Sequence, residues 1–272
     1  MRPRIRPLPH LALTIASAIA LVPTIYMLVT SLKSQEEYQA DKTGLPDVLV
    51  VDHFRQILIE TPIFLWMLNS LILVAGSVAL SLAVSCLAAY AVARMEFRGR
   101  DTLFTLSTAL MAVPPVVLIV PLFVLYTQLG LISSYTGAII IYAGLITPFS
   151  VYLLVTFFRT LPQELIDAAV MDGANHLQIL LRVVLPLSLA PLLTLVIVNA
   201  LFVWNDLLMA VIFLQDDAKK TVMAGIAVFQ GRYNNQIPLT MAGMAVAASP
   251  MLILYLTFQR HFVRGLMAGA VK

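Results

Sequence analysis

Side chains able to do acid–base, metal or nucleophilic chemistry are few and scattered. The four histidines are His10, His53, His176 and His261, all at the ends of apolar runs or between them. No H-E-x-x-H occurs, so no helix face presents a zinc-binding pair with its general base. Cys86 is the only cysteine and sits in an apolar run, which excludes a disulfide scaffold. No G-x-x-x-x-G-K-[ST] is present. Lys33-Ser34, Lys42-Thr43 and Lys220-Thr221 lack the glycines whose backbone amides cradle phosphates. No catalytic residue and no metal site is expected, and any ATP hydrolysis must occur in another chain.

The polar residues with the most informative spacing lie between Leu161 and Gln178. Pro162 suits a first helical turn, where its missing N–H costs nothing. Glu164 and Asp167 stand close behind it and favour the helix dipole. Ala168 and Ala169 leave one face nearly bare, so that another backbone can approach. Gly173 can adopt the left-handed conformation that ends a helix. A second short helix, about 175–184, then leads to Pro186. By physics alone the stretch is either an amphipathic surface helix or a docking element.

The elements that must position this loop follow from composition. Of 272 residues, 60% are hydrophobic and 11% charged, against about 25% charged in an ordinary soluble domain. Mean hydropathy is +0.93. A soluble globule and a disordered chain are both excluded, which leaves an integral membrane protein. Residues 11–32 and 67–93 carry no charge. None occurs from Thr102 to Phe158 either, enough chain for two spans of about 20 residues and a turn. The turn falls at Gln128, Gly130, Ser133 and Ser134. The expectation is an all-α polytopic protein, a single domain over 1–272. Its six transmembrane helices lie at about 11–32, 67–93, 103–127, 135–158, 185–207 and 239–260. A barrel's alternation is absent.

Arg2, Arg4 and Arg6 resemble the basic start of a signal peptide. The apolar stretch after them continues through Thr30, beyond the 7–15 residues of a signal core, so an uncleaved first span is expected. With six spans the termini share one side. That side holds eleven of the Lys and Arg residues and the other holds six, so both termini are predicted cytoplasmic. The outer loops also hold Glu36, Glu37, Asp41, Asp47, Asp52, Glu60, Asp216 and Asp217. The net charge of +3 is too mild to argue for nucleic acid.

The 161–178 stretch resembles the EAA loop of ABC importer permeases: Glu-Ala-Ala, three residues, Gly, nine residues, Ile, any residue, Leu-Pro. Here it reads Asp167-Ala168-Ala169, then Gly173, then Val183 and Leu185-Pro186. Both spacings match, and Asp replaces Glu and Val replaces Ile. Asp172-Gly173-Ala174 is also usual in that family. Trp204-Asn205-Asp206 is similar to a segment of carbohydrate-uptake permeases. Met111 to Phe123 and the ending Arg264-Gly265-Leu266 with Ala268 to Lys272 resemble the second permease subunit of maltose-type importers.

The resemblance implies a multi-pass protein of a prokaryotic inner or plasma membrane, carrying a sugar. It implies a cytoplasmic coupling helix, with Glu164, Asp167, Ala168, Ala169, Asp172, Gly173 and Ala174 coupling to an ATPase. It also implies a second homologous permease, giving a heterodimer, two ATPase subunits that bind ATP and Mg, and an extracytoplasmic solute-binding protein. The chain itself would hold no cofactor.

Polar residues inside spans are the candidates for a solute path. Ser77, Ser81 and Ser85 recur every four residues and read as helix–helix contact. Asn199 has no local reason to be in a span, and buried polar groups there face a cavity or a partner. Asn199 and Asp206, seven apart, share a helix face, with Phe202 about 60° away. Counted from Leu185, Asn199 lies about 21 Å along the span. Asn199, Phe202, Asn205 and Asp206 are the path candidates, although Trp204 beside them also suits an interfacial aromatic belt. Pro114-Pro115 must break the third span, as a gating kink or a tolerated bend. The competing class is an ion-gradient-driven secondary transporter, which needs ion-coordinating residues at mid-membrane. Asp206 near one end is a poor candidate for that.

The charge bias predicts that cysteines placed at 95–100 or 160–178 label in intact cells only with a permeant reagent. Cysteines at 36–52 should label from outside. Reaction of a cysteine at Val170 with an impermeant reagent would overturn the topology.

Overall fold

The computed structural model describes residues 7–232 and 236–268. The basic residues Arg2, Arg4 and Arg6 and the ending Gly269 to Lys272 lie outside them. Thirteen helices follow in chain order among the described residues, and no strand occurs there. They are α1 (Pro7–Ser31), α2 (Gln35–Ala40), α3 (Asp52–Glu60), α4 (Ile63–Arg94), α5 (Arg100–Leu110) and α6 (Ile119–Gln128, preceded by a 3₁₀ turn, Pro115–Leu118). Next are α7 (Tyr135–Phe158), α8 (Gln163–Met171), α9 (His176–Leu187) and α10 (Leu189–Asn205). The last are α11 (Leu208–Phe213), α12 (Val222–Arg232) and α13 (Ile237–Ala268).

Four of these, α1, α4, α7 and α13, are long and apolar enough to cross a membrane. The pairs α5–α6 and α9–α10 pass the same test only as bent pairs, at 96° and 80°, which makes six spans if each pair counts as one. The break at Pro114-Pro115 in the span over 103–127 is the one expected from the sequence; the structure adds a second, in the stretch that leads into the span over 185–207. The cause is proline. Pro114 and Pro115 have no N–H to continue α5, and each also disfavours the helical region for the residue before it. The chain tightens to i→i−3 bonds at the break: Ala112 N–H to Ala109 O at 3.0 Å and Val113 N–H to Leu110 O at 3.1 Å. In α9, Pro186 cannot donate to Arg182. The preceding turn widens to a π-turn over Leu180–Val184, with Leu185 N–H reaching back to Leu180 O. The chain then turns at Ser188, whose Oγ donates to Val184 O at 2.6 Å.

The chain forms two compact units. One comprises the segment up to Phe64 with Gly225–Ser249, the other Leu65–Ala224 with the segment from Pro250 onward. In the first unit, α1 keeps an apolar surface exposed from Leu11 to Ile25, as a lipid-facing helix does. After it the polar segment is folded on itself. Lys33 is fully buried and its Nζ donates to Asp41 O at 2.8 Å. Ser34 caps α2, and Glu37 Oε1 accepts from Asp47 N–H at 2.6 Å. The N–H groups of Gly44 and Thr43 hold the Asp41 carboxyl below its ordinary range. Ile57 of α3 lies against Gly243 of α13, where any Cβ would stand 3.4 Å from Ile57 Cδ1.

The second unit is built on α4 and α7. Small residues let the two helices approach: a Cβ at Gly76 would lie 2.5 Å from Ile139 Cδ1, and Thr147 Oγ1 donates to Ser81 Oγ at 3.0 Å. Asn69 near the start of α4 fastens two other segments. Its Nδ2 donates to Ala218 O and Lys220 O, both at 2.9 Å, and its Oδ1 accepts from Tyr135 Oη at 2.7 Å. Ser133, at φ 54°, holds the α6–α7 turn to the same segment by accepting from Gln215 N–H at 3.0 Å.

Asn69→Leu roughly keeps the side-chain volume but leaves the Ala218 and Lys220 carbonyls and the Tyr135 hydroxyl without this partner. It should lower unfolding stability by about 1–3 kcal/mol, read by thermal unfolding of the purified protein in detergent. Unchanged stability would mean that the 214–222 segment is held by its other contacts, the Ser133 hydrogen bond among them.

Candidate functional site

The site is the segment between α7 and α10, built around α8. Pro162 precedes α8 at φ −56°, ψ 134°, and Glu164 stands in its first turn. The far end closes on Gly173 at φ 78°. Gly173 N–H bonds to Val170 O at 2.9 Å and Ala174 N–H to Ala169 O at 3.0 Å, the paired bonds of a Schellman ending. A Cβ at Gly173 would meet nothing within 4 Å, so it is the backbone angle that demands glycine. Asn175 then starts α9 with a reciprocal cap: its Oδ1 accepts from Gln178 N–H and Gln178 Oε1 accepts from Asn175 N–H, each at 2.9 Å.

The segment has two faces. Inward, Ile166 and Ile179 are buried in one core with Ala89, Tyr90, Leu154 and Phe158, and Ala169 and Ala174 pack at its edge. Outward, Glu164, Asp167, Ala168, Asp172 and Gly173 are exposed. Val170 and Met171 join them, Met171 at 86%. A nearly isolated methionine at a helix end suits a docking contact, since its flexible thioether packs into irregular gaps. The seven residues picked from sequence are thus brought together on eleven consecutive positions. Asp167 has one partner within the helix: Gln163 Nε2 donates to its Oδ1 at 2.9 Å.

Residues that sequence reasoning missed hold the segment to the spans. Arg94, the last residue of α4, donates from Nη1 to Gln163 Oε1 at 2.7 Å and from Nη2 to Leu161 O at 2.6 Å and to Phe158 O. One turn earlier, Tyr90 Oη meets His176 Nδ1 at 3.2 Å, and their rings pack edge-to-face. The only signal at Arg94 was its position at the end of a charge-free run, which reads as a topology signal and not as a contact.

The path candidates do not come together. Asn199 is 2% exposed, and its Nδ2 donates to Ser150 Oγ of α7 at 2.9 Å. Ser150 in turn donates to Ile146 O at 2.9 Å. This is an interhelical hydrogen bond, the partner that a polar group in a span was expected to find if it did not face a cavity. The depth of Asn199 changes. The bend at Ser188 moves the start of the straight helix to Leu189, so Asn199 lies about 15 Å along it. Asp206 follows the last turn of α10. One carboxylate oxygen accepts from Tyr142 Oη at 2.8 Å and from the N–H groups of Met209 and Ala210 at 2.9 and 3.3 Å. It therefore ties α7 to the start of α11. Asn205 is exposed, with Nδ2 donating to Leu201 O at 2.9 Å.

Phe202 lines a cavity. The cavity, of about 570 Å³, lies beside the α5–α6 bend, and its walls include Met111, Pro115, Tyr126, Ile141 and Gly144. Among the described residues no three His, Cys, Asp or Glu side chains gather as a metal requires. The segment is equipped for mechanical contact, not for bond making.

Residues 81–267 match the family model of the "Binding-protein-dependent transport system inner membrane component". A sulfoquinovosyl glycerol transport system permease of Agrobacterium fabrum is 34% identical, covering 98% of this chain and 94% of that protein. A melibiose/raffinose/stachyose import permease of Bacillus subtilis is 32% identical, covering 95% and 94%. Among solved structures, a chain of a bacterial ABC transporter involved in alginate import superposes with a TM-score of 0.78 at 23% identity, covering 94% of this chain and 95% of that one.

The Asn199–Ser150 bond predicts coupling in a double-mutant cycle. Asn199→Leu and Ser150→Ala should each destabilise, and together by less than their sum, with an interaction energy of about 0.6–2 kcal/mol as for other transmembrane hydrogen bonds. Additive unfolding energies would show that the pair is not energetically linked.

Proposed function

The chain belongs to the binding-protein-dependent transport system inner membrane components, permeases of ABC importers and not enzymes, and from that premise we propose that it carries a carbohydrate or similar polyol into a prokaryotic cell. The observation that carries the reading is the two-faced segment around α8. Its inner face is fused to the core of α4 and α7, and its outer face ends in exposed Val170 and Met171. An exposed apolar knob on a rigid base is what a separate motor subunit needs in order to push on a span.

In this reading α8 is the cytoplasmic coupling helix, and both termini lie on the same side. Glu164, Asp167, Ala168, Ala169, Asp172, Gly173 and Ala174 form or shape its docking face. Two ATPase subunits hold ATP and Mg. A second, homologous permease completes a heterodimer, and a solute-binding protein delivers from outside. ATPase closure moves the segment and the spans attached to it, and the differential contacts at α8 are what allow nucleotide to bias inward- and outward-open states. The relatives named for glycosidic solutes support a sugar. Phe202 on its cavity wall, with exposed Asn205 nearby in α10, offers a ring for a sugar's C–H face and an amide for a hydroxyl. Asp206 gives the ion-driven alternative little support, since one of its carboxylate oxygens is held by Tyr142 and two backbone N–H groups.

Met171→Asp places a charge where an apolar contact is proposed and should weaken docking by about 2 kcal/mol. Gly173→Val forces a β-branched residue into the left-handed region, at about 1–2 kcal/mol or more. Both chains should insert, while binding-protein-dependent sugar uptake into vesicles falls in each. Normal uptake in both variants would remove α8 as the coupling element.

A further inference from the structure

An arginine at the end of a span ordinarily extends to headgroups and water. Arg94 turns back instead. Its Nη2 donates to the carbonyls of Phe158 and Leu161, at and just beyond the end of α7. Those carbonyls belong to the region that a helix end leaves unsatisfied, and a cation there also favours the dipole. Its Nη1 reaches Gln163, the first residue of α8. All three acceptors are uncharged, so the guanidinium acts through geometry, as a fork across two helix ends. One turn before it on α4, Tyr90 holds His176, the first residue of α9. One face of α4 therefore grips the segment on both sides of α8, while Ile166 and Ile179 seat it from beneath.

We infer that Arg94 and Tyr90 are positioning residues that lock the 158–179 segment to α4 as one rigid body, so that a push on α8 moves that span instead of bending the segment. The inference rests on the proposed coupling role of α8 and deepens it, by naming the span that receives the motion and the groups that transmit it. Neither residue touches solute or nucleotide. Removing the clamp should leave the ATPase docked and active but make its strokes unproductive.

The test uses the assembled transporter with its binding protein in lipid discs, in a Cys86→Ala background. Spin labels are placed at Leu87→Cys on α4 and Leu181→Cys on α9, both exposed positions. With Arg94 present, the label distance should stay the same with and without ATP. In Arg94→Met the distribution should broaden and shift on adding ATP. Uptake per ATP hydrolysed should fall by at least about tenfold, since Arg94→Met removes three charge-assisted hydrogen bonds and loss of one already carries that factor. Basal hydrolysis and the amount of assembled complex should hold. Arg94→Lys keeps the charge but not the fork and should restore only part of the yield. Tyr90→Phe should give a smaller loss of the same kind. An unchanged uptake-to-hydrolysis ratio in Arg94→Met would overturn the clamp, as would a loss of uptake that only tracks loss of assembled complex. If the parent transporter shows no binding-protein-dependent uptake, it is the permease reading that fails. The clamp is then still decided by the width of the label distribution, narrow with Arg94 and broad without it.

Discussion

A peptide group surrounded by hydrocarbon has no water to bond, so every break in an apolar helix must be satisfied from within the protein. The rest of this structure is arranged around that requirement. The chain interrupts its helices at Pro114-Pro115 and near Pro186, and in both places the backbone changes its hydrogen-bond step: i→i−3 at the first, a π-turn at the second. The end of α7 takes its donors from Arg94. The segment after α11 takes two of its donors from Asn69. Few polar side chains are available, and Asn69, Thr147, Tyr142 and Asn199 are used to fasten one element to another.

That economy explains why the polar residues that stand out in the spans by their rarity have partners on other helices. A polar side chain in a span must find a partner, and in a packed bundle the nearest one is another helix. Asn199 finds Ser150, and Asp206 finds Tyr142 and the first turns of α11. What remains around the cavity beside the α5–α6 bend is mostly apolar, with Phe202 on its wall.

The segment around α8 shows the opposite economy. Its polar groups close local turns: the Schellman ending at Gly173, the Asn175–Gln178 cap, and the Gln163–Asp167 bond. Little chain freedom is left, and Ile166 and Ile179 are buried while Leu165, Val170, Met171 and Leu177 are exposed. A stiff element with one face in the core and one face outside can pass on a displacement.

The spans, the turn at 128–134, the helix over 163–171 and its ending at Gly173 were legible in the amino-acid sequence. Each depends on interactions within a few residues: charge-free length, proline and glycine at fixed positions, and capping side chains next to the N–H groups they accept from. So was the spacing of Asp167, Ala168, Ala169 and Gly173, because one short helix carries all of it. The partners of the isolated polar residues were not legible. Arg94 bonds to groups 64, 67 and 69 residues away, Asn199 to one 49 away, and Asn69 to carbonyls 149 and 151 away. The bend angles of 96° and 80° are likewise tertiary. Proline dictates that a helix must break, but its direction after the break is set by what the two arms pack against. Helical period and capping are properties of neighbouring residues. Which helix face meets which is a property of the packed bundle, and it alone turned Asn199 into a fastener and Arg94 into a clamp.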